Sequence, residues 1–187
     1  VRKRPGLTDL GLVRAGAAQL LYYWFGKVRT IIGDTFCGGN LSVYPVWGDK
    51  GSEVTLSNGD LTTTYAVGST MSARATFGKS SGKWYWEITV GTTRHVQIGV
   101  GNASAVLTAG GGFGFVTDNN GVAINFNGFI QKNDLAIAPD SGAPFVFNEG
   151  DVIGVALDLD ARTVAWNKNG GAYCSIGGSK VPTGDLY

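Results

Sequence analysis

From Glu53 onward the apolar positions recur with a period of two. Trp84, Trp86, Ile88 and Val90 alternate with Tyr85, Glu87 and Thr89, which predicts a strand with one buried and one half-exposed face. Val96, Ile98 and Val100 repeat the pattern, as do Val122, Ile124 and Phe126. The longest stripe is Ile153, Val155, Leu157 and Leu159, followed by Val164 and Trp166 in the next strand. Asn-Gly pairs at Asn58-Gly59, Asn120-Gly121, Asn127-Gly128 and Asn169-Gly170 punctuate these runs. Both residues tolerate positive φ, which the primed turns of two-residue hairpins require. No segment after residue 50 reads as a crossover helix, which argues against a parallel α/β sheet. The expectation is an all-β, antiparallel two-sheet β-sandwich over residues 51–187.

Residues 1–50 differ in character and are read as an N-terminal extension. Leu20–Phe25 and Val28–Ile32 are apolar runs separated by Gly26-Lys27, a pattern that fits a β-hairpin. Leu10–Phe25 also fits a short amphipathic helix, weakened by Gly11 and Gly16; the β-branched run Val28, Thr30, Ile31 and Ile32 favours the hairpin. Residues 37–52, with Gly38, Gly39, Pro45 and Gly48, read as an irregular lead-in.

Composition agrees with strands and tight turns: 30 glycines and one Met among 187 residues, with 11% aromatic. The formal charge of +1 hides an asymmetry. Residues 1–29 hold six basic residues (Arg2, Lys3, Arg4, Arg14, Lys27, Arg29) against Asp9, while the rest holds nine basic against thirteen acidic. A net-acidic sandwich lacks the basic patch that displaces counterions from nucleic acid, so no nucleic acid is expected at it. No stretch reaches eighteen uncharged apolar residues, so no membrane insertion is expected. Arg14 interrupts the first apolar run, which argues against a signal peptide. The sequons Asn40–Ser42 and Asn102–Ser104 are read as chance.

The motifs then carry a resemblance. Val54-Thr55-Leu56-Ser57-Asn58-Gly59, Ser72–Thr76 and Ser81-Gly82-Lys83-Trp84-Tyr85-Trp86-Glu87-Ile88 are similar to the opening of SPRY domains. Gln97-Ile98-Gly99-Val100 and Gly112-Phe113-Gly114-Phe115 resemble later segments of that family. The strongest block is Gly150–Asp160 followed by Thr163–Gly170, which resembles the SPRY "GDvIGvalDld…tv.f.kNG" hairpin. The resemblance implies a concanavalin-A-like jelly roll of two packed sheets that binds proteins through its loops. It also implies an aromatic from the facing sheet, Trp84 or Trp86, over Gly154. SPRY domains continue past the segment that starts at Leu186-Tyr187, so the sandwich is expected to be truncated at its C-terminal strand; the first residue, Val, likewise suggests a longer polypeptide. "VTLSNGDLTTTYA" and the stretch to "KWYWEITV" resemble the SPRY versions of tailed-bacteriophage virion proteins, and "VRKRPGLTDLG" resembles the lead-in of podovirus tail or neck proteins. These imply a virion location (phage tail or neck, otherwise cytoplasmic), other virion proteins or a host-surface glycan or protein as partners, and an oligomeric assembly.

Catalytic chemistry finds little support in the residues. A glycosidase needs two carboxylates across a sugar cleft. The only glutamates are Glu53, Glu87 and Glu149, and Asp158 and Asp160 fit turn capping beside a hairpin. Gly78-Lys79-Ser80 lacks the upstream glycine of a phosphate loop, where Ala73 stands. Cys37, Cys174 and the single His95 supply no zinc set, so neither a metal nor a cofactor is expected, and the cysteines read as free buried thiols or, in an oxidising environment, as one disulfide. The protein is expected to be no enzyme. Trp84, Trp86 and Trp166 occupy core positions, whereas Trp24 and Trp47 stand outside them. By the family's habit of binding through loops, the candidate binding residues are Thr92, Thr93, Arg94, Asn102, Ser104, Thr108, Asp118, Asn119, Gln131 and Asn133.

Overall fold

The computed structural model describes residues 45–65, 72–91, 96–108 and 116–187, and the backbone of 21–24 and 27–30. The chain divides into two units, Val1–Val43 and Tyr44–Tyr187. In the first, β1 (Leu21–Trp24) pairs antiparallel with β2 (Lys27–Thr30), Trp24 standing opposite Lys27.

In the second unit β3 (Trp47–Lys50) pairs with β6 (Ala73–Ala75), so part of the expected lead-in is strand. Between them β4 (Val54–Ser57) and β5 (Thr62–Tyr65) form a hairpin closed by Asn58-Gly59, both at positive φ. Two four-stranded antiparallel sheets follow. One runs β14 (Cys174–Gly177), β13 (Thr163–Lys168), β12 (Val152–Asp158) and β7 (Lys83–Thr89). The other runs β11 (Leu135–Ile137), β10 (Ile130–Lys132), β9 (Gly121–Asn125) and β8 (Gln97–Gly101).

Their inner faces share one core. Ile98, Val100, Val122, Ile124 and Ile130 come from one sheet; Ile153, Val155, Leu157, Val164, Trp166, Cys174 and Ile176 come from the other. Alternation places them: in β12 every second side chain faces inward, as the stripe predicts. Cys174 is a free buried thiol, and Cys37 lies outside the described residues. Trp166 is fully buried, Nε1 included, and among the described residues that N–H has no hydrogen-bond partner.

Three expectations are corrected. Trp84 and Trp86 line the core edge but are only half-buried, while Tyr85, assigned to the half-exposed face, is buried. It is Tyr85, from the adjacent strand of the same sheet, that lies over Gly154: a Cβ there would come within 2.3 Å of its hydroxyl. Asn120-Gly121 closes no hairpin, since Gly121 opens β9. The turn between β10 and β11 is instead Asn133-Asp134, with φ of 52° and 57°. Asn and Asp enter this region more readily than other non-glycine residues because their short polar side chains bond locally.

Candidate binding surface

One end of the sandwich gathers the two described arms of the β8–β9 loop and the turn between β10 and β11. Asn102 is their hub. Its Nδ2 donates to Asn120 Oδ1 at 3.1 Å and to the Thr183 carbonyl at 3.0 Å, and its Oδ1 accepts the Ser104 amide at 2.9 Å. Asn120 is fixed in turn by Asp118, whose Oδ1 accepts its backbone N–H at 2.8 Å and whose Oδ2 accepts its Nδ2 at 2.9 Å. The Asp118 carbonyl then accepts the Asn133 amide at 3.2 Å. Short amide and carboxylate side chains suit this work because each reaches backbone groups two or three residues away.

Arg74 closes the hub from β6. Nη1 donates to the Asn102 and Ala103 carbonyls at 3.0 and 2.8 Å, and Nη2 pairs with Asp49 at 2.7 Å. Its guanidinium stands 5.1 Å from the centre of the Tyr187 ring. Tyr187 exchanges backbone hydrogen bonds with Gly101, and Leu186 does so with Lys79. Gly78 is required beneath that ring, since a Cβ there would meet it at 2.4 Å. Sequence reasoning passed over Arg74; the signal was a lone cation between Ala73 and Ala75 in an otherwise small-residue strand.

The candidates thus separate. Asn102, Ser104, Asp118, Asn119 and Asn133 share this end, with Ser104, Asn119 and Asn133 exposed and Asn102 and Asp118 half-buried as their support. Thr108 is exposed further along the same loop, next to Leu107, whose carbonyl accepts the Ser72 amide. Thr92, Thr93 and Arg94 lie outside the described residues. Gln131 is no loop residue: it is buried in β10, and its Oε1 accepts from Gln97 at 2.8 Å and Asn125 at 3.1 Å. Asn125 Oδ1 in turn takes the amides of Asn127 and Phe129, fixing the β9–β10 turn.

A second polar group lies on the outer face of the other sheet. Asn167 hydrogen-bonds the Tyr85 hydroxyl, which donates to Glu87 Oε1 at 2.9 Å. Burial first, then the Glu87 carboxylate, pushes the Tyr85 phenol up to about 12. Asp158 and Asp160 serve turns: Asp158 takes the amides of Asp160 and Ala161 and pairs with Lys83 at 2.7 Å, and Asp160 takes the Gly82 amide. The Lys83 bond and the turn amides hold Asp158 below the usual carboxylate range.

This architecture defines an antiparallel sandwich carrying polar loops at one end. Residues 83–187 match the SPRY domain, and the chain belongs to the SPRY family. SPRY domains are in general non-catalytic modules that bind protein partners. Among solved structures, the SPRY domain of human HERC1 is 23% identical with a TM-score of 0.48, covering 62% of this chain and 69% of that one. Stonustoxin is 16% identical with a TM-score of 0.52; the alignment covers 75% of this chain and spans 24% of the toxin chain. At that identity the stonustoxin likeness is one of fold alone.

Proposed function

We propose that this chain is a non-catalytic protein-binding module of a bacteriophage virion, tail- or neck-associated, that uses the Asn102 end of its sandwich to grip a host-surface molecule or another virion protein. The observation that carries the binding part is the Asn102–Asn120–Asp118 relay with Arg74. It holds the two described arms of the β8–β9 loop together, with the β10–β11 turn bonded to one of them through the Asn133 amide, and leaves Ser104, Asn119 and Asn133 exposed. Pre-ordered loops lose little entropy on binding, so modest polar contacts suffice for affinity. The virion part is supported by the wording of residues 54–90 and of the first eleven residues. A cellular adaptor that grips a peptide of its partner is the second reading, favoured by what SPRY domains do in general.

The test is to immobilise the chain and measure saturable binding of purified virion proteins, host envelope glycan and host envelope protein. The triple variant Ser104→Ala, Asn119→Ala, Asn133→Ala is run in parallel. Saturable binding of one of them, lost in the folded variant, supports the proposal. Binding that survives the variant removes the Asn102 end from it, and turnover of host polysaccharide overturns the non-catalytic reading.

A further inference from the structure

Four Asn-Gly pairs occur in the chain, and the fold treats them differently. An asparagine side chain is lost as ammonia when the next residue's backbone nitrogen attacks Cγ. Glycine after asparagine speeds this step because no Cβ hinders the approach. The attack needs a side chain free to turn and an amide free of other bonds.

Three pairs fail that requirement. Asn169 Oδ1 accepts the Val152 amide at 2.8 Å and its Nδ2 donates to Asp151 at 2.7 Å, so its side chain is held at both ends. Asn120 is held the same way between Asp118 and Asn102, and its glycine is buried in β9. At Asn127 the Gly128 amide already donates to the Asn125 carbonyl at 2.8 Å, and the space where a Gly128 side chain would stand lies 3.1 Å from the Phe145 backbone.

Asn58-Gly59 meets it. Residues 57–62 are all exposed, and nothing approaches within 4 Å of the position a Gly59 Cβ would take. The Asn58 carbonyl accepts the Leu61 amide at 3.3 Å, but among the described residues neither the Asn58 side chain nor the Gly59 amide makes a hydrogen bond.

We infer that Asn58 is a spontaneous modification site of the folded protein. The deprotonated Gly59 nitrogen attacks Asn58 Cγ, a C–N bond forms, and the Cγ–Nδ2 bond breaks with release of ammonia. Solvent water then opens the resulting five-membered imide at either carbonyl, giving aspartate or isoaspartate. Aspartate tolerates the positive φ of this turn. Isoaspartate adds a methylene to the backbone between β4 and β5 and shifts Asp60, whose carbonyl accepts the Trp47 amide of β3 at 2.9 Å. Either product adds a negative charge beside Asp60.

The experiment incubates the folded chain in mildly alkaline buffer and maps peptides by mass over time, with a denatured sample beside it. The expected result in the folded chain is a gain of about one dalton confined to the peptide holding Asn58, split into two isomers and accelerated by hydroxide, as attack by a deprotonated Gly59 nitrogen requires. In the denatured chain all four pairs convert. Asn58→Gln removes the signal. Conversion of Asn120, Asn127 or Asn169 as fast as Asn58 in the folded chain overturns the inference, as does an Asn58 that stays intact when folded but converts when denatured.

Discussion

In the sheet β14-β13-β12-β7 the inner face is an unbroken stripe of Ile153, Val155, Leu157, Val164, Trp166 and Ile176, carried on strands of up to seven residues. In the sheet β11-β10-β9-β8 the strands hold three to five residues, and the face away from the shared core is tied by the side-chain amides of Gln97, Asn125 and Gln131. The first sheet is specified by apolar area, which is non-directional and tolerant of small shifts. The second depends on directional bonds whose buried members cost free energy when left unpaired. Its loops are the ones that build the Asn102 end, so the region with the thinner apolar support is also the one that carries the proposed binding end.

That contrast can be broken at its strong side first. Trp166→Ala empties the largest fully buried side chain of the apolar sheet and should cost about 3–5 kcal/mol, read as a lower urea midpoint at unchanged slope. A loss no greater than that of an exposed control such as Leu135→Ala would refute the ranking.

Gly99→Ala and Gly154→Ala compare the two sheets directly. At Gly99 the new methyl would meet the Val122 carbonyl oxygen at 2.0 Å, a backbone group that cannot move without disturbing the β8–β9 ladder. At Gly154 it meets the ends of Tyr85 and Asn167, which can swing at the expense of their mutual bond. Both should destabilise by about 1–3 kcal/mol, Gly99→Ala the more. Equal losses would show that the Tyr85–Asn167 pair is as rigid as backbone.

Asn125→Ala removes the acceptor for the Asn127 and Phe129 amides and one partner of Gln131; about 1 kcal/mol is expected from chemical denaturation. The change should loosen the β9–β10 turn, visible as faster amide exchange at Phe129. An unaltered exchange rate would mean that water replaces the side chain without loss.

The smallest effects are in pH. Tyr85 ionises at about 12 when folded and near its ordinary 10 when unfolded, so its contribution is complete below pH 10 and is lost as pH rises toward 12. Tyr85→Phe should flatten stability over that window. Asp158 has the opposite sign: held low by Lys83 and the turn amides, it stabilises above the ordinary carboxylate range and its contribution is lost as pH falls through its folded value. Asp158→Asn should reduce the acid sensitivity of the β12–β13 hairpin.

The β12–β13 hairpin was legible because period two over seven residues can be satisfied by one pairing only. A one-residue slip would turn Ile153, Val155 and Leu157 to the outside. Much of the candidate surface was legible by type, since Asn102, Ser104, Asp118, Asn119 and Asn133 do fall on loops at one end. Gln131 was misread because a polar residue in a three-residue strand carries no period. Its burial depends on two amides that come from other strands. Arg74 was missed for the same reason: its partners Asn102 and Asp49 lie 28 and 25 residues away.

By itself the sequence determined the class of fold, the core stripes of β8, β9, β12 and β13 and the turns at Asn58-Gly59 and Asn169-Gly170, because alternation and backbone φ preferences act between near neighbours. Only the tertiary structure decided that Tyr85 covers Gly154, that Asn133-Asp134 closes a hairpin without glycine, and that Arg74 pins the Asn102 loop. It also decided which of four Asn-Gly pairs keeps both a free asparagine side chain and an unbonded glycine amide. Each of these depends on groups brought together across strands or loops, and local pattern holds no record of such distances.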